Sequence, residues 1–149
     1  MMRHRARLLG MLAATMITAG LLAATPRADA SESWCEGTEV RRCILVAYYD
    51  YQSTHVRARA RVEDAGSINQ DVQVSGLRLE WKRWSSSSWT TIATDDSYDG
   101  WWHTAEEAET VAPCREGYFR AVARYRWKPA GADAATSTVW RVTDQARMC

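Results

Sequence analysis

Val56-Arg57-Ala58-Arg59-Ala60-Arg61-Val62-Glu63 alternates without interruption: Val56, Ala58, Ala60 and Val62 fall on one side of an extended chain, and Arg57, Arg59, Arg61 and Glu63 on the other. Side chains along a strand point to opposite faces with a period of two. The stretch therefore predicts an antiparallel strand with one face in a core and the other in water. The arginine row reads as a solvated outer face rather than as a basic patch for a ligand. The same alternation returns at Leu77, Leu79 and Trp81 against Arg78, Glu80 and Lys82, and at Phe119, Ala121, Ala123, Tyr125 and Trp127 against Arg120, Arg124 and Arg126.

With Cys43 to Tyr49, Trp89 to Thr94, Trp101 to Val111 and Ser137 to Val142 added, the chain offers seven candidate strands. Turn-forming stretches such as Asp64-Ala65-Gly66-Ser67 and Lys128-Pro129-Ala130-Gly131 separate them. Short strands at this spacing predict an all-β antiparallel sandwich. Trp81, Trp127 and one of Trp101 and Trp102 have the phase of core residues. Thr104-Ala105-Glu106-Glu107 also fits a helix capping box, so a short helical turn is the alternative there.

This outline, together with Gly117-Tyr118-Phe119-Arg120-Ala121-Val122-Ala123 as a penultimate strand, resembles immunoglobulin-like and fibronectin type III domains. The resemblance implies a two-sheet sandwich over most of the chain. It departs from antibody-type domains, because no cysteine pair brackets a core tryptophan. Sandwiches of this kind host many unrelated functions, so the resemblance implies no activity.

Residues 1–30 read as a secretory signal peptide. Arg3, His4, Arg5 and Arg7 form a basic start, Leu8 to Ala24 an uncharged apolar run, and Ala28-Asp29-Ala30 a small-residue cleavage site. The run is at the short limit for a membrane span, and Pro26 and Arg27 follow it directly. No twin-arginine pair precedes it, which predicts Sec export, and Ser31 rather than cysteine follows the cut, which predicts an untethered product. The Arg and Ala content of the segment suits a bacterium of high GC content. Cleavage leaves residues 31–149 as a single secreted domain, with 15 basic and 17 acidic side chains. A net charge near −2 argues against nucleic acid or a membrane surface as the partner, since both require a basic excess on one face.

All four cysteines, Cys35, Cys43, Cys114 and Cys149, follow the signal segment, and an even number in an oxidising compartment predicts two disulfides. Zinc is the weaker reading: paired C-x2-C spacing is missing, and only His55 and His103 could assist. If the strand from Tyr118 and the strand to Val142 form a hairpin near Ala132, facing residue numbers sum to about 264. Those of Cys114 and Cys149 sum to 263, which predicts that pairing and leaves Cys35 for Cys43.

Eight tryptophans are the compositional peculiarity of the chain. Trp84 and Trp89 flank Ser85-Ser86-Ser87-Ser88, and a register that sets Trp81 against Ile92 would place them opposite each other on an outer face. Such a pair would brace the hairpin and offer an aromatic platform to a glycan ring or a protein. Asp95, Ser97, Asp99 and Glu106 have the spacing of a calcium loop, with Gly100 at its sixth position. A plain acidic turn is the preferred reading, and no cofactor is expected. Neither a G-x-S-x-G elbow nor a glycine-rich phosphate loop occurs, so no catalytic residue is assigned. The expected function is a non-catalytic secreted module that binds an extracellular protein or glycan. The alternatives are an extracellular protease inhibitor presenting a disulfide-supported loop, and a small secreted hydrolase or toxin.

Overall fold

The computed structural model describes residues 31–96, 100–133 and 137–149; the expected signal segment, residues 1–30, lies outside them. The described residues form nine antiparallel strands and no helix: β1 (Glu32–Glu36), β2 (Val40–Tyr48), β3 (His55–Asp64), β4 (Gln70–Lys82), β5 (Thr90–Asp95), β6 (Ala105–Pro113), β7 (Gly117–Pro129), β8 (Ser137–Val142) and β9 (Ala146–Met148). One sheet has the order β1-β2-β3-β6. The other has the order β5-β4-β7-β8, with β9 continuing along the β8 edge of β7. Nine strands thus replace the seven expected. The two missed strands, β1 and β9, have five and three residues, too few to display a convincing alternation.

The sheets face each other, β3 and β6 packing on β4 and β2 on β7. Val56, Ala58, Ala60 and Val62 are all 0 % exposed and meet Leu77, Leu79, Phe119 and Tyr125, also 0 % exposed. Each fully buried Val, Leu or Phe contributes about 1.5–3 kcal/mol. Ala58 and Ala60 on one sheet and Ala121 and Ala123 on the other are small, and this leaves room in the interior for Phe119 and Tyr125. Tyr125 crosses the core and donates its hydroxyl proton to the Cys43 carbonyl at 2.6 Å. Burial pushes its phenol far above the usual tyrosine range.

Two irregularities in β4 break the regular pairing with its neighbours. At the first, between Val74 and Gly76, the Val74 N–H is met by the Glu106 carboxylate, reaching over from β6 at 2.5 Å. The capping-box segment is therefore strand, and Glu106 joins the two sheets instead of closing a helix. β6 starts only at Ala105. Trp102 forms an isolated two-way bridge with Val72 (2.8 and 3.1 Å) and is 44 % exposed, so neither it nor Trp101 is the core residue the phase suggested. The second irregularity lies between Leu79 and Glu80: Leu79 faces Ala93, but Glu80 faces Thr91 and Trp81 faces Thr90. The extra residue, Ile92, is a β-bulge: the pairs nearest the turn stand two residues from the expected register, and those beyond the bulge stand one residue from it.

Both disulfides pair as expected. Cys35 and Cys43 face each other across β1–β2 with Cα atoms 4.1 Å apart, and Cys114 is bonded to Cys149 with Cα atoms 5.9 Å apart. The hairpin holds its expected register through Arg124↔Trp140 and Val122↔Val142. Thr143 then inserts: its N–H donates to the Ala121 carbonyl and its Oγ1 accepts from the Ala121 N–H, both at 3.0 Å. Beyond it β9 resumes one residue out of step, with Gly117 facing Met148.

Candidate functional site

The two outward faces of the sandwich carry arginines held in opposite ways. On the β1-β2-β3-β6 sheet the arginine row of β3 meets glutamates. Arg57 pairs with Glu109 (3.5 Å), Arg59 with Glu107, Arg61 with Glu63 (3.1 Å) and Glu107 (3.8 Å), and Arg41 with Glu63 (3.7 Å). Charge is cancelled in place, and this row is the solvated face its alternation predicted.

On the β5-β4-β7-β8 sheet aromatic rings take the place of most of the glutamates. Strand phase turns Arg120, Arg124, Arg126 and Lys128 of β7 outward with Arg78 and Lys82 of β4, while the β7 to β8 register brings Trp140 beside Arg124. Trp140 lies between Arg78 (5.3 Å to the ring centroid) and Arg124 (5.4 Å). Trp89 lies between Arg120 (4.2 Å) and Lys82 (4.8 Å), and Lys82 also approaches Tyr118 (5.4 Å). Trp101 takes Arg126 (5.3 Å) and Lys128 (4.9 Å), and at the β9 end Arg147 covers Trp84 (4.5 Å). All are within the roughly 6 Å over which a cation is drawn to a ring face.

Two carboxylates share this face among the described residues. Glu80 accepts from Arg120 at 2.7 Å and pairs with Arg78 at 3.6 Å. Asp71, 3 % exposed, accepts the Gly131 N–H at 3.0 Å and faces His103 Nδ1 at 2.5 Å; the Gly131 bond first, then His103, hold its carboxyl below the usual range. Asp96 stands at the rim, its Oδ1 3.6 Å from where a Gly76 Cβ would be. Ser75 and Gln73 also fix the row: Ser75 Oγ accepts from Arg124 Nε at 2.8 Å, and Gln73 Oε1 accepts from Arg126 at 3.3 Å.

At the end of this sheet the β4–β5 turn and the β6–β7 link enclose a cleft of about 600 Å³ lined by Trp81, Arg83, Trp84, Ser85, Arg115 and Glu116. Arg115 lies 5.6 Å over the Trp81 ring, and Trp81 Nε1 donates to the Glu116 carbonyl at 3.2 Å. The neighbouring Cys114–Cys149 bond ties this link to β9. Gly117 closes the floor. A Cβ there would stand 2.3 Å from the Lys82 carbonyl oxygen and 2.6 Å from Trp81 Nε1, on a backbone with φ of 151°. No side chain fits that position.

Trp84 and Trp89 therefore do not form the facing pair expected of them. With Trp81 paired to Thr90 instead of Ile92, Trp84 is left in the turn, 46 % exposed at the cleft, while Trp89 is half-buried in the face between two cations. Trp140, Trp101 and the cations of β7 are the members that sequence reading passed over. Their signal was parity, since Arg120, Arg124, Arg126 and Lys128 share one phase and Trp140 falls opposite it once the hairpin register is set. Of the calcium candidates, Ser97 and Asp99 lie outside the described residues, Asp95 ends β5, and Glu106 is turned to Val74.

His55 and His103 each present Nδ1 to a carboxylate, Asp50 at 3.1 Å and Asp71 at 2.5 Å. The Thr54 hydroxyl bonds that same Nδ1 of His55 at 2.9 Å and Asp50 at 2.5 Å, which is not the linear nucleophile–base–orienter order of a hydrolytic triad. A smaller cavity of about 300 Å³ lies over the Cys35–Cys43 bond on the ion-paired sheet. Compared with protein-family models and with curated proteins, the chain matches none.

Proposed function

We propose that the protein is a secreted, fibronectin type III-like module whose activity is non-catalytic binding, through the aromatic and cationic face of the β5-β4-β7-β8 sheet and the cleft at its end. The family reading is supported by the strand order, in which β2-β3-β6 lie against β5-β4-β7-β8 with the chain passing between sheets after β3, β5 and β6. Export is supported by the character of residues 1–30 and by two disulfides.

One observation carries the binding reading: rings and guanidinium groups are stacked in fixed positions while Trp84 and Trp140 remain 46 % and 47 % exposed. Large amphipathic side chains ordered before a partner arrives lose little entropy on contact. An inhibitor's projecting loop has less support. One disulfide joins two paired strands, and the other ties a three-residue link to β9.

The test is a Trp84→Ser, Trp140→Ser double variant, offered with the parent to a panel of extracellular polysaccharides and secreted proteins. Loss of a parental interaction with an unchanged melting temperature is expected. Retention of every interaction by the variant overturns the assignment of the face.

A further inference from the structure

We infer that the partner of this face is an anionic polysaccharide, carrying sulfate or carboxylate groups, laid along β7. The inference rests on the binding reading above and adds the ligand's chemistry.

The first ground is charge. The face turns seven basic side chains outward, Arg147 and the six on β4 and β7, against Glu80 and Asp71. The rest of the described residues carries eight basic and fourteen acidic groups, Asp96 at the rim among them. A net charge near zero thus conceals a strongly dipolar molecule, and a polyanion is attracted to one face and repelled from the others.

The second ground is how the cations are held. A glutamate orders an arginine by cancelling its charge, as on the opposite sheet. A tryptophan orders it by stacking and leaves the charge in place; here Arg78 and Arg120 share the one carboxylate of Glu80, and Arg124 gives its N–H groups to the neutral Ser75. Arg124 is held by the Trp140 ring and by Ser75, neither of which cancels its charge, so that charge is left for an anionic chain.

The third ground is shape. From Arg120 to Lys128 the row runs about 26 Å at the rise of a strand, open at the Trp84 cleft, so it suits a linear polymer better than a small anion. The rings between the cations offer apolar surface to sugar C–H groups, and the expected export places the face among glycans rather than nucleic acids.

Dextran sulfate and unmodified dextran of equal length share a backbone and differ in charge, so they are the probes, with a single-stranded oligonucleotide of matched charge as the third. The full secreted chain should bind dextran sulfate, lose roughly tenfold or more in affinity between about 50 and 200 mM NaCl, and ignore dextran. A Lys82→Gln, Lys128→Gln, Arg147→Gln variant should bind at least tenfold more weakly. Arg57→Gln, Arg61→Gln on the opposite sheet should bind as the parent does, and unchanged melting of both variants secures the comparison.

Equal binding of dextran overturns the anionic ligand but not the binding reading, and so does absence of sulfate binding while a Trp84- and Trp140-dependent partner is found. Equal weakening by both variants overturns the face. An oligonucleotide preferred tenfold or more overturns the polysaccharide in favour of nucleic acid.

Discussion

Tyr125 and Asp71 show how buried polar groups are fixed in this fold. The Tyr125 hydroxyl meets the Cys43 carbonyl at 2.6 Å, with its ring fully buried. Tyr125→Phe keeps the packing and removes the bond between the sheets, so it should cost about 1–2 kcal/mol in urea unfolding, and no change would mean that water replaces the hydroxyl without loss. Asp71 has its carboxyl held low by the Gly131 N–H and by His103. The folded state then binds this proton more weakly than the unfolded state. The resulting stability is complete above about pH 4 and is lost as pH falls through the lowered folded value. Asp50, lowered chiefly by the Thr54 hydroxyl, adds to the same acid limb. Asp71→Asn should therefore make the fall of melting temperature between about pH 5 and 2 shallower without abolishing it. Superimposable limbs for parent and variant would show that the Asp71 contacts do not persist in solution.

The elements were legible where one residue type repeats with one period, and illegible where a bulge intervenes. Val56 to Val62 gave its buried face directly, and the β7–β8 register followed from two strands whose alternation is unbroken between Val122 and Trp127. The same reasoning failed at β4–β5, where the turn sets Trp81 against Thr90 instead of Ile92, and nothing in the identity of Ile92 announces that it is unpaired. Glu106 misled for a related reason. Its partner, the Val74 N–H, is orphaned by a bulge thirty-two residues away in sequence, so locally it resembles a helix cap. The correct disulfides survive such slips because a one-residue error in register still leaves Cys114 within reach of Cys149. Closing that longer loop should contribute about 3–4 kcal/mol and closing the Cys35–Cys43 loop about 2–3 kcal/mol on a chain-entropy estimate. Paired alanine substitutions at each bond, compared by thermal unfolding, should rank in that order. The reverse ranking would show that loop length is not what sets the contribution of each bond.

At the scale of the molecule, the candidate face was hidden by charge bookkeeping over the entire chain. The arginine row of β3 looks basic in sequence, yet its glutamates arrive from β6, whereas the row on β7 meets tryptophans from β8 and from the connections on either side of β5. Only the pairing of distant strands decides which row is neutral. The same pairing leaves two sheet edges to be held together, and Glu36 does so. At the end of β1 its Oε1 accepts from Arg42 at 2.8 Å and from Arg141 of β8 at 2.6 and 2.9 Å. Arg141 also lies over Trp34 (5.4 Å) and Arg42 over Trp127 (4.9 Å), so the carboxylate closes one side of the sandwich. Glu107 likewise serves two arginines, but these are 39 % and 49 % exposed, whereas Arg42 is 14 % exposed. An exposed guanidinium regains water when its partner is removed, and a largely buried one cannot. Glu36→Gln should therefore cost about 1–2 kcal/mol, against well under about 1 kcal/mol for Glu107→Gln, and should raise amide exchange in β1 and β8 before the rest of the molecule. Equal costs, or exchange rising uniformly, would show that the edges are held by the sheets alone and that the Glu36 cluster only decorates them.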